Sequence, residues 1–466
     1  MTEDRKIWSS SRKNLLNLAF FGAAIIALVG LWPSDMKDSI AKMTGSILII
    51  SSCFLMLYLF LAHFRHEILD VTRKTLFIIL IIVLFSGLAR YAAQLADPDY
   101  IYLVPTAIIP IIICTFYDAR LALFTLMITL MLCGFIIPSP FRFVFVSFIS
   151  GIAAIFSMAN IYRQGKIFYS FLAVLASYII IYLAEALMQG TAVTDISYSG
   201  LLVYVENGLL ILFSYPVILL FERQFYFLSD ATLLELSNIN NPLLRRFAEA
   251  APGSFQHSLQ VANLAEEAAR IAGANPLLVR TGALYHDVGK IINSEYFIEN
   301  LNIQSNPHQV MDPVTSSEII INHVNEGVSL ARSYKLPVQI IDFIRTHHGT
   351  TMAHFFYMKY LEKNKSNPDL DKLFAYPGPK PFTRETAIVM MADAVEAASR
   401  TLTRFTEKTT GDLVDKVIAM QEKYHQFSDT PLTFRDLAEI KTIFMRRLLT
   451  MYHTRTIYPE ADASVN

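Results

Sequence analysis

Eight apolar runs, each close to the roughly 20 residues needed to cross the hydrocarbon core of a bilayer, fill the first half of the chain. They lie near residues 14–32, 44–64, 75–93, 100–117, 119–137, 141–160, 167–189 and 200–222. Pro105 and Pro110 interrupt the fourth. The first is too long for a signal peptide and no small-residue cleavage site follows it, so it reads as a retained anchor. Charge follows the same division: residues 1–222 hold 27 of the 79 Asp, Glu, Lys and Arg, and the remaining 244 residues hold 52. A membrane half followed by a soluble half is the organisation this predicts.

Orientation follows from the cations. With a cytoplasmic N-terminus, Arg5, Lys6, Arg12, Lys13, Arg65, Arg73, Lys74, Arg120, Arg163, Lys166 and Arg223 all fall inside. Only Lys37, Lys42, Arg90 and Arg142 fall outside, beside Asp35, Asp38, Asp97, Asp99 and Asp195. An even number of spans then returns the soluble half to the cytoplasm. Glu185, Glu206 and Arg90 sit near the outer face. They read either as interfacial residues reaching water or as a small polar cluster that senses a signal. Cys53, Cys114 and Cys133 lie inside apolar runs, which argues against a disulfide framework or a thiolate metal site.

The expected domains are an anchor helix and short external loop over 1–43, seven membrane helices over 44–222, a helical connector over 223–253 and a soluble domain over 254–466. The connector carries Leu233, Leu234, Leu236, Leu243 and Leu244 and is broken at Asn241-Pro242. It lacks the Gly and Ser of a flexible tether. Beyond Ser254 the apolar period is helical: His257, Val261, Leu264, Ala268 and Ile271 recur at spacings of three and four. Asp312-Pro313 has the form of an N-cap followed by proline at the first helical position, opening a helix that contains His323. In RETAIVMMADAVEAASR, Val389 or Met390, Asp393 and Ala397 fall on one line. The whole chain is therefore expected to be all-α.

Along the soluble half stand His257, His286-Asp287, His323, His347-His348 and Asp393, five histidines and two carboxylates spread over 137 residues. Burying so many titratable groups is costly unless they share cations. Imidazole with carboxylate and no thiolate suits Fe, Mn, Zn or Co better than Ca or Mg. Seven ligands exceed one ion and suit two, provided that one carboxylate bridges. Paired cations about 3.5–4 Å apart stabilise the attacking and leaving oxygens of a displacement at phosphorus. Asp287 is the expected bridge. Lys290, three residues on in GALYHDVGK, offers a cation for a phosphate oxygen, so both are candidate catalytic residues and Lys290 a candidate substrate contact.

The pattern H…HD…H…HH…D resembles that of HD-domain metal phosphohydrolases. Further strings narrow the resemblance: the run from Leu233 through Ala269, ANPLLVRTGALYHDVGK, YFIEN, NPH, HHGTT, YPGPKP, AIVMMADAVEAASR and the tail YHTRTIYPE. They are similar to the seven-transmembrane HD family, the PgpH-type cyclic-di-AMP phosphodiesterases. The resemblance implies a multi-pass enzyme of the bacterial plasma membrane that hydrolyses cyclic-di-AMP to linear pApA in second-messenger signalling. It implies one metal on His257, His286, Asp287 and Asp393 and another on Asp287, His323, His347 and His348, with iron or manganese the usual ion.

The chain departs from that family where a large external domain usually follows the first helix, since only residues 31–45 stand there. Whether the membrane half regulates the enzyme or merely anchors it to the bilayer stays open, as does homodimerisation. An HD-GYP enzyme acting on cyclic-di-GMP would show a glutamate directly after the paired histidines and a GYP string, and this chain has Gly349 there and no such string. A phosphatase for another nucleotide or a lipid phosphate would use the same metals, and a receptor using the fold only as a signalling module would lack ligands. With a pI near 6.8 and no basic stripe, nucleic-acid binding is not expected.

Overall fold

Helix is the only extended regular structure among the described residues, apart from one isolated bridge between Met352 and Ala375. The computed structural model describes residues 3–95, 97–138, 140–158, 166–191, 198–301, 306–362, 364 and 368–452. Arg163, Asp195 and the tail string beyond Tyr452, used above for orientation and resemblance, lie outside them. Contacts divide the chain into two units, Met1–Ser229 and Asp230–Asn466. The stretch read as a connector, 223–253, crosses that division.

The first unit comprises α1 (Glu3–Leu31), α2 (Ile40–Phe64), the short α3 (His66–Leu69), α4 (Thr72–Ala92), α5 (Ile108–Phe116), α6 (Ala119–Ile136), α7 (Pro140–Met158), α8 (Lys166–Met188), α9 (Tyr198–Leu210) and α10 (Ser214–Phe225). Eight segments among the described residues are long and apolar enough to cross a membrane. The fourth, Pro98–Phe116, is discontinuous: a 3-10 turn over Pro98–Leu103 precedes α5, with Pro105 in the gap. Proline removes a donor there, and the freed carbonyls need partners where water is absent. Asn207 of α9 supplies them, donating from Nδ2 to Tyr102 O at 2.5 Å and Val104 O at 3.1 Å. Its own Oδ1 accepts from Tyr178 at 3.2 Å. Of the polar residues noted near the outer face, Glu185 pairs with Arg142 at 3.0 Å, whose guanidinium lies over the Tyr102 ring at 4.7 Å. Glu206 is exposed.

The second unit holds α11 (Asp230–Leu236), α12 (Pro242–Ala250), α13 (Pro252–Ile271), α14 (Pro276–Tyr285), α15 (Pro313–Ser333), α16 (Val338–Thr346), α17 (His354–Leu361), α18 (Pro368–Asp371), α19 (Arg384–Ser399), α20 (Glu407–Lys423) and α21 (Phe434–Met451). Local chemistry sets its helix starts. Asn241, Asn275 and Asp312 each accept from backbone N–H groups one or two residues into the next helix, with proline directly after the cap. The centre is α13, which packs on α14, α19 and α21, while α15 packs on α16.

Two positions on the predicted inward lines turn outward. Ile271, in the last turn of α13, is 47% exposed, and Ala397 is exposed on α19. The buried position one turn on from Asp393 on α19 is Glu396, which is 0% exposed. A spacing of three, rather than four, keeps a residue on the inward face here.

Candidate metal centre

Each candidate ligand reaches the centre from a different place in the second unit. His257 projects from the second turn of α13. His286 and Asp287 follow the end of α14, His323 lies in α15, His347 and His348 follow α16, and Asp393 lies in α19. The turn after Asp287 is a tight 3-10 turn, Val288–Ile291, pressed against α15. Gly289 permits that approach, because a Cβ there would overlap the His323 carbonyl oxygen.

The structure brings all seven candidates together. Asp287 has its two oxygens turned to different groups. Oδ2 lies 3.3 Å from His286 Nε2 and 3.8 Å from His257 Nε2. Oδ1 lies 3.4 Å from His323 Nε2 and 3.6 Å from His347 Nε2. Asp393 completes the first side, 2.9 Å from His257 Nε2 and 3.7 Å from His286 Nε2. It also comes within 3.8 Å of His348 Nδ1. On the second side, the Nε2 atoms of His323 and His347 are 3.2 Å apart. Ligand atoms converge within 4.8 Å in three sets: His257–His286–Asp393, His323–His347–His348 and His286–Asp287–His347.

Two observations show that the donor set fits divalent cations. His286 Nε2 and Asp287 Oδ1 are buried without a hydrogen-bond partner, which is costly for polar atoms in a dry interior. Two ring nitrogens 3.2 Å apart, on His323 and His347, also leave room for an electron-pair acceptor.

The electrostatics differ between the two sides. Burial, helped by neighbouring imidazoles, holds His347 well below its ordinary range. It holds His323 low as well, and takes His348 down to about 3 against the pull of Asp393. These three imidazoles are neutral at pH 7 and keep a lone pair for a cation. Burial also opposes charge on His286, yet Asp287 and Asp393 override it and push the group up to about 10. His257 is raised in the same way by Asp393 and Glu396. Asp287 and Asp393 are held well below the carboxylate range despite burial: Lys290 and His286 dominate at Asp287, and His257 and His286 at Asp393. On this side protons stand where a cation would bind.

Lys290 occupies a place the sequence did not suggest. Expected to offer a cation to a phosphate oxygen, its Nζ lies instead 2.8 Å from Asp287 Oδ2 and 2.8 Å from Glu299 Oε1. Glu299, in the YFIEN string, also accepts from Ser254 Oγ at 2.8 Å. Phe297 from that string lies under the Lys290 ammonium and edge-on to His323. The HHGTT and YPGPKP strings meet through a bond from Tyr376 N to Thr351 O at 2.8 Å, beside the Met352–Ala375 bridge. That meeting places the Tyr376 ring on His348, with centroids 4.1 Å apart.

Sequence reasoning missed Glu396, whose Oε2 meets His257 Nδ1 and whose Oε1 accepts from Arg400 Nη2 at 2.9 Å. The signal was the i,i+3 spacing from Asp393, which puts both carboxylates on one helical face.

Family models for a 7TM receptor with intracellular HD hydrolase and for the HD domain match residues 40–229 and 254–398, respectively. The cyclic-di-AMP phosphodiesterase PgpH of Bacillus subtilis strain 168 is 37% identical over 377 residues, 78% of this chain and 52% of the relative. The protein of the same name from Listeria monocytogenes is 40% identical over 244 residues, 52% of this chain and 34% of the relative. The chain thus spans about half, or about a third, of the length of these relatives. A crystal structure of the Listeria PgpH HD domain in complex with cyclic-di-AMP aligns at a TM-score of 0.44 and 38% identity, covering 46% of this chain and all of that one. With eight membrane-length segments among the described residues and the matched seven-transmembrane model, the molecule is a multi-pass membrane protein.

Proposed function

The chain belongs to the family of seven-transmembrane receptors with an intracellular HD hydrolase, and from that membership we propose a membrane-bound, two-metal phosphodiesterase that hydrolyses cyclic-di-AMP to linear pApA. One observation carries the reading: Asp287 turns one oxygen to the His257–His286 side and the other to the His323–His347 side, as a bridging carboxylate must. The substrate is taken from the similar PgpH proteins, whose names specify cyclic-di-AMP. In this reading His257, His286, Asp287 and Asp393 would hold one divalent cation, and Asp287, His323, His347 and His348 the other. The ions are iron or manganese, consistent with a nitrogen-rich, thiolate-free donor set. Such a pair supplies Lewis acidity and lowers the pKa of water at the site.

The chain's own groups have separate tasks. Lys290 and Glu299 hold the Asp287 carboxylate in place, and backbone carbonyls fix the ring orientation of three histidines. Tyr376 and Phe297 wall the site with apolar surface against bulk water. The catalytic unit faces the cytoplasm of a bacterial cell in this reading, following the excess of Lys and Arg on that side.

Product analysis tests the assignment. Full-length protein in detergent, given manganese and cyclic-di-AMP, is expected to yield pApA. Release of inorganic phosphate from mononucleotides in preference would assign a phosphatase instead.

A further inference from the structure

Four buried histidines use their Nδ1 atoms in two ways. For His286, His323 and His347 the partner is the carbonyl three residues back, on Ala283 at 2.6 Å, Ile320 at 2.5 Å and Ile344 at 2.8 Å. His257 differs. Its Nδ1 meets Glu396 Oε2 from α19, 139 residues away in sequence. Glu396 is 0% exposed, and its other oxygen accepts from both Arg400 Nη2 at 2.9 Å and Arg400 Nε at 3.2 Å. A carboxylate buried this completely is costly unless paired, and Arg400, which caps the C-terminus of α19, supplies the pairing.

We propose that Glu396, held by Arg400, fixes His257 as an Nε2 donor and makes the His257–His286–Asp393 side the tighter of two cation positions. The inference rests on the two-metal reading above. With Nδ1–H donated to a carboxylate, the ring presents its Nε2 lone pair toward Asp393 and Asp287. An imidazole donating to an anion is also a stronger electron-pair donor than one donating to a neutral carbonyl. The charges run the same way. This side has the Asp393 carboxylate, one oxygen of Asp287 and Glu396 behind His257. The other side has three imidazoles and the second Asp287 oxygen. Lys290 on Asp287 Oδ2 works against the difference, and Arg400 offsets part of the Glu396 charge. The Asp393 carboxylate on the ligand side has no counterpart among the three histidines. Cations therefore load in order, first beside His257 and then beside His323. Glu396 is a positioning residue: it touches His257 and acts through it.

The experiment is manganese binding to the full chain in detergent, followed by the paramagnetic signal of the free ion. The wild-type protein is expected to bind two ions with separate dissociation constants. Glu396→Gln keeps an acceptor for Nδ1–H but removes its charge, and should weaken the tighter constant about 10–100-fold while leaving the weaker one in place. Arg400→Gln, at a partly exposed position, should weaken the same constant by a smaller factor and guards against misfolding of the first variant. Glu396→Asp should recover part of the loss. Unchanged constants in both variants, or equal weakening of both ions, would overturn the inference. A wild-type protein that binds no manganese or iron would instead remove the two-metal reading on which it rests.

Discussion

Lys290 Nζ lies 2.8 Å from Asp287 Oδ2, so the carboxylate that faces both groups of histidines is itself held by a cation. Glu299 holds the same ammonium from the other side at 2.8 Å, and all three groups are largely buried. Removing the ammonium leaves Glu299 and Asp287 as like charges in a dry setting. Lys290→Ala should therefore destabilise the second unit by about 3–5 kcal/mol, the usual result of breaking a buried pair. Chemical denaturation of the full chain in detergent measures this. A loss below about 1 kcal/mol, the range of a surface pair, would show that Lys290 is not structurally engaged as described.

Asp287→Ala is expected to abolish turnover and reduce metal content to below one ion per chain. Among the described residues Asp393 reaches the second group only at His348, 3.8 Å from its Oδ2, and meets neither His323 nor His347, so it does not stand in for Asp287 between His257–His286 and His323–His347. Metal analysis of the purified variant decides the matter. Two retained ions would mean that another group bridges.

Metal loading should depend on pH with a fixed sign. Without a cation, His286 is held protonated up to about 10 and His257 is raised in the same direction. A cation must displace those protons, so its affinity falls as pH falls, by about tenfold per unit for each proton displaced. Manganese titrations between pH 6 and 8, with proton release followed by an indicator, test this. Affinity that stays flat over this range would contradict the protonated state assigned to both rings.

Asn207 supports the broken fourth span by donating to the Tyr102 and Val104 carbonyls. Leucine has similar volume and no donor. Asn207→Leu should cost about 1–3 kcal/mol for the Tyr102 carbonyl left without its partner, while the Val104 carbonyl still accepts from Thr106 N at 2.8 Å, and should lower the thermal stability of the first unit in detergent. An unshifted melting curve would mean that the break tolerates a bare carbonyl at Tyr102.

Much of the candidate metal centre was legible because its residues are chemically conspicuous. Histidine and aspartate at inward helical positions are costly to bury alone, and the spacing of His257 within its helix marked its face. Helix caps such as Asp312-Pro313 were legible for a related reason, being local. What lay hidden were pairings made only by tertiary packing between residue types that are ordinary on a surface. Glu396 resembles any solvated helical glutamate until α13 packs on α19. Glu299 resembles loop charge until it meets Lys290. Arg142 and Glu185, 43 residues apart, gave no sign of each other either. The alignment of Ala397 with Asp393 failed because one residue of drift turns a helical position by 100 degrees, enough to exchange an exposed alanine for a buried glutamate.

Competition between substrates tests the central claim most directly. Full-length protein in detergent, loaded with iron or manganese, is given cyclic-di-AMP, cyclic-di-GMP and a simple mononucleotide, and initial rates are compared at equal concentration. Cyclic-di-AMP should be hydrolysed fastest, with pApA as the product. A mononucleotide turned over much faster than either cyclic dinucleotide would contradict the account.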